Sequence, residues 1–90
     1  MNIEDLYKVI EQRVKNKKKN SYTNKLLNEG SKKIAQKFGE ESSELIIDYL
    51  KGSKKRTIEE AADVIYHLLV LLKSKKISLK EVSKELSKRR

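Results

Sequence analysis

Apolar residues recur along this chain at spacings of three and four, without strand-like alternation, and the sequence holds no proline and only three glycines. That rhythm belongs to helices. Asn2 is placed to cap a first helix running to about Val14, with Leu6, Val9, Ile10 and Arg13 on one inward side. A polar, charged connector follows, "KNKKKN" over 15–20, and "SYTNKLLNEG" predicts a short helix closed by Gly30. Ser31 then caps a long helix to Leu50, with Gly52 closing it. "SKKR" reads as a linker to a helix that Thr57 opens, with Glu60 in capping-box spacing, and that ends near Lys75. Ser78 and Glu81 form a second capping box ahead of a short, highly charged helix. The expectation is an all-α fold: a small bundle of four to five helices, forming one domain over residues 1–90.

Two of these helices carry acid where oil is expected. On the long helix, Ile34, Phe38, Leu45 and Tyr49 fall within roughly 60° of one another at about 100° per residue. Glu41 points into the middle of that stripe, and Glu44 lies on the same side, nearer its edge. Ile46, Ile47 and Leu50 point elsewhere, so the second half of this helix needs more than one neighbour. The next helix is apolar almost all round except along one line, Glu60, Asp63 and His67, spaced i, i+3 and i+7. Each helix thus turns a carboxylate pair inward, Glu41 with Glu44 and Glu60 with Asp63. Early helical glutamates often serve only the helix dipole, and Glu40 can pair with Lys37 or Lys33 on a solvated face. Two pairs on otherwise buried faces are harder to explain that way. Clustered carboxylates repel and need cations. An all-oxygen set, with a single histidine and no cysteine, favours magnesium or manganese over zinc.

Charge sharpens the picture. Lysine and arginine number 22 against 13 acidic residues, a formal net charge of +9, which suits phosphate-bearing partners. A basic nucleic-acid-binding protein is one reading, with Lys17–Lys19, Lys54–Arg56 and Lys75–Lys76 as its clusters. It lacks interleaved aromatics and any binding motif, and seven of the 13 acidic residues lie between Glu40 and Asp63. An anion-binding enzyme with solvated basic ends fits that segregation better. Without cysteine, neither a disulfide framework nor a thiolate metal site can form. "MNIEDLYKVIEQRV" is unlike a signal peptide and no apolar run approaches bilayer length, so the sequence reads as soluble, cytoplasmic and free of membrane partners.

"SYTNKLLNEGSKKIAQKFGEESSELIID" followed by "EEAADVIYHLLVLL" resembles the phosphoribosyl-ATP pyrophosphohydrolases of histidine biosynthesis, within the all-α NTP pyrophosphohydrolases. The likeness runs from about Tyr7 to Leu86. E-x-x-E with E-x-x-D marks the superfamily, and "SYT", the Lys37–Glu41 segment and "YHLLVLL" mark the histidine branch. The resemblance implies hydrolysis of phosphoribosyl-ATP to phosphoribosyl-AMP and pyrophosphate, magnesium dependence and a helical homodimer. It also implies that the next enzyme of the pathway, fused to this domain in many species, comes from another chain. Carried over by position, Glu41, Glu44, Glu60 and Asp63 are the metal-binding carboxylates. Glu41, Glu44 or the unliganded Glu40 would accept the water's proton, and the sequence does not choose among them. Ser21, Tyr22 and Thr23 are candidates to meet phosphate or ribose, or else a helix cap with a packed tyrosine. Lys37 is a candidate to face the anionic substrate, and His67 to serve substrate or structure; Tyr49 and Tyr66 read as core or interface. A house-cleaning enzyme acting on dNTPs is the nearest alternative, against which "SYT" and "YHLLVLL" argue. The extra apolar directions predict a homodimer built mainly on the 31–51 and 57–75 helices.

Overall fold

The computed structural model describes residues 1–16 and 21–89, which form five helices. They are α1 (Ile3–Asn16), α2 (Tyr22–Glu29), α3 (Ser31–Lys51), α4 (Lys54–Ser74) and α5 (Leu79–Lys88). No strand occurs among the described residues, as the periodicity predicts. Among the described residues no helix is long and apolar enough to cross a membrane.

Local chemistry sets most boundaries. The Asn2 side chain accepts a hydrogen bond from the Asp5 amide at 2.8 Å and opens α1. Ser21 caps α2, and Ser78 with Glu81 forms the expected reciprocal box before α5. Gly30, at φ 95°, turns the chain between α2 and α3 in a region that side chains resist. Gly30 itself is the N-cap of α3, so Ser31 lies within the helix instead of capping it. Residues 17–20 of the charged connector lie outside the described residues, while Lys15 and Asn16 belong to α1.

The start of α4 departs from expectation more. Ser53 caps it, accepting from the Arg56 amide at 3.1 Å, and "KKR" forms its first turn. Thr57 sits inside the helix, its hydroxyl donating to the carbonyls of Ser53 and Asp48, and Glu60 belongs to no capping box. Only Gly52 and Ser53 therefore separate α3 from α4. A connection that short makes an antiparallel hairpin of two 21-residue helices. Gly52 is required by space: a Cβ there would stand 2.8 Å from Asp48 Oδ1 and 2.9 Å from the Asp48 backbone.

Tyr7, Ile10, Leu26, Ile34, Leu69, Val70 and Leu72 make the core, where α1, α2 and the start of α3 meet the second half of α4. Burying each such side chain is worth about 1.5–3 kcal/mol. Tyr7 also donates to the Ile77 carbonyl at 2.5 Å, tying α1 to the loop before α5. Arg13 is exposed, contrary to its expected inward place; its backbone carbonyl accepts from Asn24 instead. Beyond Leu45, α3 emerges from the bundle, and Ile46, Ile47, Tyr49 and Leu50 are exposed, as is Ile58 across the turn.

Candidate active site

The hairpin brings the acidic pairs together. Glu41 stands eleven residues before Gly52 and Asp63 eleven after it, so an antiparallel pair sets them at the same height. Glu60, one turn nearer the hairpin end, shares Asp63's face. Carboxylate oxygens of Glu41, Glu60 and Asp63 all lie within 4.8 Å of one another, close enough to hold one metal ion. Glu44 is exposed and stands beside Glu60, adding a fourth negative charge without joining that group of three.

Glu60 is the buried member, 4 % exposed. Arg56, one turn earlier, donates to its Oε1 at 3.0 Å, and also lies 3.7 Å from Asp48 and 3.6 Å from Glu59. Glu60 Oε2 is buried without a hydrogen-bond partner. Burial above all, then the charges of Glu44, Asp63 and Glu41 and a close approach of the Glu44 carboxylate that favours the protonated form, push the Glu60 carboxyl up to about 6. The Arg56 pair does not outweigh them. A buried carboxylate with one unpartnered oxygen, beside two other carboxylates, is unfavourable in the charged state. A cation would relieve it, and an all-oxygen donor set suits a hard one. These residues fit a divalent metal ion.

The other candidates divide by what they touch. His67 is buried; its Nδ1 donates to the Asp63 carbonyl at 2.8 Å, so in the neutral ring Nε2 accepts from the Tyr22 hydroxyl at 3.1 Å. Both nitrogens are thereby engaged, and neither is directed to a carboxylate. Thr23 is fully buried and hydrogen-bonds Tyr66, so it offers no surface to a substrate. Ser21 is buried as the cap of α2. Of the "SYT" segment, only Tyr22 reaches outward, half exposed, with its ring edge-on to His67. Lys37 lies beside Tyr22 in a cleft of about 220 Å³ between α2 and α3. Its ammonium is raised above the usual lysine range, first by Tyr22 and then, against partial burial, by Glu40 and Glu41.

Glu40 does not join the acidic cluster. It takes a hydrogen bond from Gln36 at 2.8 Å and pairs with Lys37 at 3.6 Å. The Gln36 bond first, then Lys37 and Lys33, hold its carboxyl below the usual range, which suits a proton acceptor poorly. Arg56, Asp48 and Gln36 are absent from the expected site. The i, i+4 spacings of Arg56 with Glu60 and Gln36 with Glu40 were the available signal.

Residues 3–90 match the family model described as phosphoribosyl-ATP pyrophosphohydrolase. The phosphoribosyl-ATP pyrophosphatase of Clostridium novyi is 47% identical over 88 residues, 98% of this chain and 80% of that protein. The protein of the same name from Sulfolobus acidocaldarius is 46% identical over 87 residues, 97% of this chain and 92% of its own length. A histidine biosynthesis bifunctional protein from Thermotoga maritima is 42% identical over 86 residues, covering 96% of this chain but 44% of the larger protein. With an all-α fold, a paired acidic face and likeness along nearly its whole length, the chain belongs to the phosphoribosyl-ATP pyrophosphohydrolase family.

Proposed function

We propose that this chain hydrolyses phosphoribosyl-ATP to phosphoribosyl-AMP and pyrophosphate, the second step of histidine biosynthesis, in the cytoplasm. The observation that carries the reading is the buried Glu60 carboxylate, its Oε2 without a hydrogen-bond partner, grouped with the carboxylates of Glu41 and Asp63 in a chain of this family. Glu41, Glu60 and Asp63, with Glu44 alongside, would hold magnesium, for which manganese would substitute. When bound, such an ion activates water, orients the triphosphate and neutralises developing negative charge. The carboxylates fix the place of that charge on two rigid helices. Oxygen of water bonds to phosphorus as the bridge between the α and β phosphates breaks. The water's proton passes to a carboxylate oxygen of the cluster, where Glu40 has no place.

A homodimer completes the fold. The exposed apolar side chains of α3 and the start of α4 are the surface it would cover.

Purified protein incubated with magnesium and either phosphoribosyl-ATP or a panel of dNTPs tests the substrate. Pyrophosphate should appear from phosphoribosyl-ATP far faster than from any dNTP. Preference for a dNTP, or orthophosphate as the first product, would overturn the reading.

A further inference from the structure

A cleft outside the acidic cluster has chemistry of its own. Tyr22 and Lys25 from α2 and Lys33 and Lys37 from α3 line about 220 Å³ of space. Gly30 alone joins the two helices, so the lysines face one another across the cleft. Glu29 and Glu40 also line it, yet Glu40 is taken by Gln36 and Lys37. Lys25 and Lys33 make no ion pair among the described residues. Three lysines against two glutamates leave this concave surface with a net positive charge of one, which favours an anion from solution. The clamp on Glu40 matters here, because it holds Lys37 against the cleft wall.

Position then links the cleft to the reaction. Along α3, Lys37 lies one turn and Lys33 two turns from Glu41, about 6 and 12 Å at 1.5 Å per residue. The Tyr22 hydroxyl, bonded to His67, ties the cleft wall to the helix that carries Glu60 and Asp63. We propose that this lysine cleft is a phosphate subsite, binding a terminal phosphate of the substrate through Lys25, Lys33 and Lys37 while the carboxylates act on the scissile bond. The inference rests on the reaction proposed above. Phosphoribosyl-ATP ends in phosphate twice, at its triphosphate and at its phosphoribosyl group. Contact with the second end would also separate it from ATP, which shares everything else.

The test combines binding and kinetics. In chelator, with no metal to bridge phosphate to the carboxylates, pyrophosphate and ribose 5-phosphate are titrated separately into the protein while its amide NMR spectrum is followed. One of them should shift Tyr22, Lys33 and Lys37; ribose 5-phosphate would assign the phosphoribosyl end and pyrophosphate the leaving end. The Lys25→Ala/Lys33→Ala variant should lose that response. Its KM for phosphoribosyl-ATP should rise about tenfold, with a smaller fall in kcat, and Lys33→Arg should largely keep the wild-type KM. If neither phosphate shifts these residues, or the double variant responds as wild type does, the subsite is refuted. Wild-type protein inert toward phosphoribosyl-ATP would instead refute the proposed reaction, and the titration would still decide the cleft.

Discussion

Glu60 concentrates the chemistry of this protein in two oxygen atoms: one is held by Arg56 and the other is buried without a partner. Its carboxyl, raised to about 6 in the fold, sits near 4.5 in the unfolded chain. Between those values the metal-free folded protein holds a proton that the unfolded chain has released. Its stability should therefore fall as pH climbs through that window. Glu40 and Glu81, whose carboxyls are lowered, act oppositely: their contribution is present above about 4.5 and fades as pH drops. Thermal melts in chelator should show the loss between pH 4.5 and 6 in wild type and not in Glu60→Gln, with the acid limb common to both. Parallel profiles would mean that Glu60 is not the strained group. Glu41→Gln and Asp63→Asn should weaken magnesium binding by more than the roughly 10–100-fold typical of changes behind the ligands. Calorimetric titration measures this, and wild-type affinity in either variant would remove that residue from the site.

At the scale of elements, the α3–α4 turn governs whether the carboxylates meet. Ser53→Ala removes the cap of α4 and should destabilise the protein by about 1 kcal/mol, read as a lower denaturant midpoint. Gly52→Ala should do comparable harm by forcing a Cβ against Asp48, and should also lower activity by displacing Arg56. A Gly52→Ala protein as stable and active as wild type would show that the turn yields freely. Much of this was legible beforehand. Helical periodicity turned Glu41, Glu60 and Asp63 toward one another because facing directions follow from spacing alone. The start of α4 was misplaced because Ser53 and Thr57 are both good caps and the apolar rhythm resumes only at Ile58. The choice between them is made by Arg56 reaching Asp48, Glu59 and Glu60, the first of them a contact across the turn. Thr23 and His67 were illegible for the same kind of reason: their partners, Tyr66 and Tyr22, lie on another helix more than 40 residues away.

The whole molecule exposes too much surface for its mass. Its accessible area is 7144 Å², whereas a compact monomer of 10.5 kDa should show about 5,400 Å². Its radius of gyration, 14.0 Å, likewise exceeds the roughly 12 Å expected for 90 residues. Apolar side chains supply part of the excess: Ile46, Ile47, Tyr49, Leu50 and Ile58 are each more than half exposed. A groove of about 450 Å³ between the start of α1 and Ala62 and Ile65 of α4 adds to it. Light scattering at micromolar concentration should give twice the chain mass. Ile47→Glu with Leu50→Glu, nearly neutral for a true monomer, should shift the protein toward the single chain. A wild-type monomer would contradict this.

If the carboxylates on α3 and α4 hold a metal ion that hydrolysis requires, that dependence will show in pyrophosphate release from phosphoribosyl-ATP, measured in parallel for wild type and Glu60→Gln across a magnesium titration, with folding checked by circular dichroism. Wild type should release pyrophosphate in proportion to bound magnesium and stop in chelator, while folded Glu60→Gln stays orders of magnitude slower even at saturating metal. Wild-type turnover in excess chelator, or a Glu60→Gln protein that keeps pace, would contradict it.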